Sequence, residues 1–285
     1  MKTIDMIEFH SGGGGFRTRK CAEVRCSCCN ISNNIALSKR HGNMSKTALT
    51  LSEVLITLGI IGIIAAMTLP ALVAQHRKKE LHSQFKKSYT EINQINLNFI
   101  KDENMNMCEY AIELSKKQGS YGQEATTLFS KKFGSYMKVS SKNPVYWTPI
   151  ATEARKSIKN LRNITSPSTQ HLFDDAYNND VSGKSYYFEV AATSKCPIIS
   201  IDLNGYKKLP NRLGFDIFSF RPTLTGKIIP MGYPESSNIN GSGNNTECSY
   251  KTNGTTNGIG CAYWANIDIN PDDQTKTYWK DFIKY

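Results

Sequence analysis

Histidine is scarce in this chain, with five in 285 residues, and only His76, His82 and His171 follow residue 48. None stands in an H-E-x-x-H pattern or in a visible catalytic pairing with a cysteine or serine, so the residues for zinc-protease or Ser/Cys–His chemistry are missing. No enzyme and no cofactor are expected. A long block of like charge is missing as well. Lys and Arg number 35 against 24 Asp and Glu, a net charge of +11, but the signs are intermixed, which argues against a nucleic-acid arm. Eight basic and three acidic side chains fall in residues 1–48, which leaves only a modest excess over the rest. Long apolar runs are rare too: the mean hydropathy of -0.42 excludes a polytopic membrane protein. An apolar content of 39% still suffices for a core, so a wholly disordered or collagen-like chain is excluded.

One long apolar run is present. Residues 54–74 read VLITLGIIGIIAAMTLPALVA, without a charge, and at about 1.5 Å per residue a helix of that length spans roughly 31 Å, the depth of a bilayer core. Gly59, Gly62 and Pro70 lie inside the run. Such breakers are tolerated in lipid, whereas Pro inside a helix in water costs about 3 kcal/mol. The competing reading is a buried core helix, but those carry a polar stripe, and this run has only Thr57 and Thr68. A cleaved secretory signal would be shorter and would have its small residue after the run, whereas Ala48 precedes it. Glu53 stands at the mouth of the helix, where an ionised carboxylate costs several kcal/mol unless it is paired, so a partner is required.

The order Ala48, Leu49, Thr50, Leu51, Ser52, Glu53, followed by an apolar helix with Pro70 near its end, resembles the N-terminal segment of type IV pilins and type II secretion pseudopilins. The resemblance covers residues 46 to about 74. It implies cleavage by a prepilin peptidase between Ala48 and Leu49 and N-methylation of Leu49. It further implies that Glu53 neutralises the terminal amine of a neighbouring subunit when the helices bundle in a filament. Ala48 and Leu49 stand where the family usually has Gly and Phe. Within 18 residues on each side of the run, three basic residues precede it and five follow it, which opposes an inside N-terminus. The cleavage motif outweighs that count in our reading.

Ahead of the cut, Met44-Ser-Lys-Thr-Ala would make a short basic leader, so the start is expected at Met44, with residues 1–43 an over-extended segment. Its Cys21, Cys26, Cys28 and Cys29 lack the paired spacing of a structural zinc site. The expected layout is a leader over 1–48, a transmembrane or filament-core helix over 49–75 and an exported body over 76–285.

The body holds Cys108, Cys196, Cys248 and Cys261, an even number in a segment expected to face an oxidising compartment. Cys248 and Cys261 bound a Gly/Asn-rich stretch that resembles the Cys-bounded C-terminal loop of many pilins. Cys108 and Cys196 would form the remaining pair. Four reduced, buried thiols are the alternative. After Pro70 the pattern Leu81, Phe85, Tyr89, Ile92, Ile95, Phe99 steps by three and four, which continues the first helix as an amphipathic one ending near 116–122. A second helix is expected over 123–137, using Leu128, Phe129, Phe133 and Met137. Residues 138–180 read as loop with short helical turns. Strands are expected at 186–190, 198–203, 215–220 and 228–231. The fold class is therefore α+β, with a long N-terminal helix packed on a C-terminal antiparallel sheet, pilin-like by resemblance.

The loop 202–216 resembles strand-joining loops of pseudopilin-like proteins, some of which hold calcium. Asp202, Asn204 and Asp216 are the candidate oxygens, against a plain Asx-turn; the EF-hand spacing is absent, since Leu213 falls twelve positions in. Gly183-Lys184-Ser185 imitates a phosphate loop, but Asn178 occupies the position of its first Gly, so a hairpin turn is expected. DNA is weighed as a partner for the basic, Tyr-rich surface and set aside, because acids are intermixed. The expected function is a filament subunit of the inner membrane, later of a periplasmic or surface filament. Its partners would be prepilin peptidase, other pilin subunits, the assembly platform and, before assembly, membrane lipid. The rival is an uncleaved, membrane-anchored binding protein.

Overall fold

The computed structural model describes residues 50–117, 123–138, 149–165, 167, 173, 176–190, 196–233 and 247–284. The chain divides into two units, Met1–Glu53 and Val54–Tyr285.

Helix α1 runs unbroken over Leu51–Glu103, 53 residues with Pro70 inside, about 80 Å at the usual rise. Its two halves differ in burial. Up to residue 80 no side chain is buried, whereas Leu81, Phe85, Ser88, Ile92, Ile95, Asn96 and Phe99 are. Their three-and-four spacing puts them on one face, which meets the sheet. Two polar members of this half reach the sheet directly: Asn96 Nδ2 donates to the Gly226 carbonyl at 2.8 Å, and the half-buried Tyr89 hydroxyl donates to the Ile228 carbonyl at 3.2 Å.

The helix ends earlier than its periodicity suggests. Asn104 adopts a left-handed backbone, φ 52°, which terminates α1 as an αL residue does. Asn106 then opens α2, Met107–Lys117, with a capping box. Asn106 Oδ1 accepts from the Glu109 amide at 2.9 Å, and the Glu109 carboxylate accepts from the Asn106 amide at 3.0 Å. The expected single helix to 116–122 is thus two helices. Helix α3 spans Gln123–Ser135, two residues short of expectation, with Phe129 and Phe133 in the core and Leu128 and Met137 only partly buried.

Within 138–180, expected to be loop, lie α4, Pro149–Ser157, and β1, Ala176–Asn179. The other strands are β2 Ser185–Glu189, β3 Ile198–Asp202, β4 Ile217–Pro222 and β5 Ile228–Pro230. They form one antiparallel sheet in the order β1-β2-β3-β4-β5, each strand beside its sequence neighbour. Tyr186 and Phe188 of β2, Ile199 and Ile201 of β3, and Phe218 and Phe220 of β4 join the α1 cluster. Tyr187 and Ile217 join a second cluster with Ala154 and Ile158 around α4. Both faces are covered, which explains why these strands are apolar on both sides. The architecture is α+β, a long N-terminal helix against an antiparallel sheet.

Past β5, a helix α5, Cys261–Ile267, and a π-helical turn, Tyr278–Phe282, close the core. Trp279 stacks on His82 of α1 with ring centroids 4.9 Å apart and donates from Nε1 to the Ala265 carbonyl. Cys108 is bonded to Cys196 and Cys248 to Cys261. The first bond ties α2 to the start of β3; the second ties the 248–260 loop to α5.

Candidate functional site

The most conspicuous surface is the first half of α1. No residue of its most apolar 18-residue window is buried, and Leu55, Ile56, Ile61 and Leu72 are among its exposed side chains. The helix is long and apolar enough to cross a membrane. The two hydroxyls of the 54–74 run are silenced by the helix itself: Thr57 Oγ1 donates to the Val54 carbonyl and Thr68 Oγ1 to the Ile64 carbonyl, at 3.0 and 2.9 Å. Such back-bonding removes the polar cost of placing both side chains in hydrocarbon.

At the helix start, Glu53 Oε2 accepts from the Thr50 amide at 2.8 Å and the Thr50 hydroxyl at 2.9 Å, while the Glu53 amide donates back to Thr50 Oγ1 at 3.2 Å. This is a second capping box. Within one chain the carboxylate therefore has a partner, and Thr50-x-x-Glu53 is the signal that announces it. Ala48, Leu49, His171 and the four leader cysteines lie outside the described residues.

Asp202 and Asp216 flank the β3–β4 loop and are wholly buried. Asp202 Oδ1 accepts from the amides of Asn204 and Gly205, at 3.2 and 2.9 Å. Asp216 accepts from the amides of Asn211 and Arg212, at 3.0 and 2.6 Å. Burial pushes the Asp202 carboxyl well above the usual range, and the nearby Asp216 charge adds to the rise. Burial likewise raises Asp216 to about 6, against the pull of these amides and of the Arg212 charge. Three of the four carboxylate oxygens thus hold loop amides. Asp202 Oδ2 and the Asn204 and Asn211 side-chain oxygens are shielded from water without a hydrogen-bond partner. Among the described residues no cluster of three or more His, Cys, Asp or Glu is placed to hold a metal. Calcium needs six to eight oxygens, and this donor set fits an Asx-clasped loop better than that ion.

The Gly183-Lys184-Ser185 segment belongs to the β1–β2 hairpin, with Gly183 at φ 89°. Lys184 is buried there, its Nζ paired with Glu91 of α1 and 3.6 Å from Asp180 Oδ2. No composition or spacing signal distinguishes this lysine from a solvated one.

A cavity of about 540 Å³ lies between α1 and the β3–β4 loop. Its walls include Arg77, Glu80 and Gln84 from the helix and Asn204, Lys207 and Lys208 from the loop. The side-chain oxygens of Gln84 and Asn204 are both water-shielded and unpartnered. On the adjoining helix side, Lys78 Nζ donates to the Lys280 carbonyl at 2.9 Å, which brings the π-helical turn alongside.

No family model, curated protein or solved structure matches the chain.

Proposed function

We propose that this chain is a structural subunit of a type IV pilus-like or type II secretion pseudopilus filament, anchored in the inner membrane through residues 54–74 until it assembles. The observation that supports this best is the exposed apolar half of α1, continuous with a half that is clamped under the sheet. A rigid helix with one end in a folded body and the other bare of protein suits lipid first and the apolar core of a helical bundle afterwards. On this reading prepilin peptidase cuts after Ala48, Leu49 is methylated, and the new amine of one subunit displaces Thr50 from the Glu53 carboxylate of the next. The assembly platform and sister subunits are the partners, and the body lies outside the inner membrane.

N-terminal peptide mass spectrometry on membranes from the native host tests this. Methyl-Leu49 as first residue is the expected result. Met1 or Met44 on the mature chain would replace the filament reading with that of a tethered binding protein. Glu53→Ala should yield a cut but poorly assembled subunit, and normal filament incorporation would contradict the amine pairing.

A further inference from the structure

The cleft between α1 and the β3–β4 loop has a charge and a position along the helix that select one kind of occupant. Its cations come from two elements far apart in sequence: Arg77 on α1, and Lys207 and Lys208 on the loop. All three are exposed, and among the described residues none of them is ion-paired, while Glu80 is the one carboxylate in the lining. An occupant of this cleft is therefore anionic.

Its position along α1 matters as much. Arg77 follows the last apolar residue, Ala74, by three positions and Gln84 by ten, which places the cleft roughly 5 to 15 Å beyond the end of the run. The headgroup layer on each side of a bilayer is about 5–8 Å thick. The mouth of the cleft thus falls at headgroup level when residues 54–74 span. Leu209, 68% exposed and next to Lys208, gives the loop an apolar tip at the same place.

We infer that this cleft seats the phosphate headgroup of an anionic phospholipid, which holds the body against the bilayer before assembly. The inference rests on the reading of residues 54–74 as a membrane span.

The test uses the full chain reconstituted into vesicles of phosphatidylcholine, with or without phosphatidylglycerol, and follows tryptic cutting of the Lys208–Leu209 bond. A lysine engaged with a headgroup cannot enter the protease. Phosphatidylglycerol should lengthen the half-life of that bond by at least about fivefold, the factor one cation near an anionic surface is worth. High salt, which shortens the Debye length from about 10 to about 3 Å, should abolish the gain. Arg77→Gln with Lys207→Gln should shrink it while the chain still floats with the vesicles and is still cut after Lys117 at the normal rate. Equal half-lives on both lipids, in a chain that floats with both, overturn the headgroup site and leave the membrane span standing. Protection without phosphatidylglycerol that grows with protein concentration identifies a second copy as the occupant and also overturns it. A chain that floats with neither lipid removes the span, and the headgroup site with it.

Discussion

The buried Nζ of Lys184, in the β1–β2 hairpin, pairs with the Glu91 carboxylate on α1, 93 residues away, and also donates to Ser88 Oγ at 3.4 Å. Lys184 is almost wholly buried, while Glu91 is more than a third exposed. The two ends of the pair therefore respond differently to loss of the other. Lys184→Ala leaves the largely buried Asp180 with its loop amides but no countercharge and should cost about 3 kcal/mol. Glu91→Gln leaves Asp180 to hold the ammonium and should cost only about 1 kcal/mol. Denaturant unfolding of the detergent-solubilised chain measures both, and equal costs would contradict this asymmetry.

Acid should stabilise the loop, contrary to the usual behaviour of carboxylates. Asp216 sits at about 6 in the folded chain against an ordinary 3.8, so between these values the folded state binds more protons than the unfolded one. Its contribution to stability is full below pH 3.8 and falls as pH rises through about 6, by up to about 3 kcal/mol. Asp202 acts in the same direction. Asp273, drawn down to about 2 by Lys276 and Thr275, acts only in stronger acid. The melting temperature should therefore decline between pH 4 and pH 7, and Asp216→Asn should flatten that decline. An unchanged slope in the variant would assign the effect elsewhere.

The two disulfides should differ in worth. Cys108–Cys196 closes 88 residues and Cys248–Cys261 closes 13. Chain entropy then assigns about 4.6 and about 2.9 kcal/mol to them. Replacing Cys108 and Cys196 together by Ser should lower the melting temperature more than replacing Cys248 and Cys261, as calorimetry of the two double variants would show.

Asn106 does two jobs. It caps α2 through Oδ1, and its Nδ2 donates to the Leu224 carbonyl at 2.9 Å. Asn106→Ala should cost about 2 kcal/mol, whereas Glu109→Ala, which loses only the reciprocal bond, should cost about 0.5 kcal/mol. Hydrogen exchange at the first turn of α2, measured with the unfolding free energy, separates the two losses.

Much of the architecture is legible in the sequence because burial there follows a period. The steps from Leu81 to Phe99 trace the face of α1 that packs on the sheet, and β2 to β5 fall where β-branched and aromatic residues cluster. Legibility fails where a single local bond outweighs periodicity. Apolar spacing carries on past Glu103, yet Asn104 turns left-handed and Asn106 starts a new helix. The Asn-x-x-Glu signal for that restart was readable, as was Thr50-x-x-Glu53. Strand β1 had no such signal. Ala-Tyr-Asn-Asn has little β-propensity, and it is extended because it pairs with β2 and because Asn178 donates to Ser130 of α3. Lys184 was invisible for the same reason, since its burial depends on an element 93 residues earlier. The cationic cleft likewise joins two stretches that sequence order separates.

The closure of the core by Trp279 sets a schedule for folding. His82 and Phe85 are covered by a ring that comes late in the chain, and the neighbouring bond from Lys78 to Lys280 spans 202 residues. At the usual ribosomal pace of about 5–20 residues per second, the aromatic face of α1 waits roughly 10 to 40 s for its lid. The sheet can grow strand by strand in that interval, because every strand pairs with its sequence neighbour. The helix it must receive stays sticky throughout, so a holding factor that shields residues 81–99 during synthesis would raise the yield of folded chain more than one that acts on the strands.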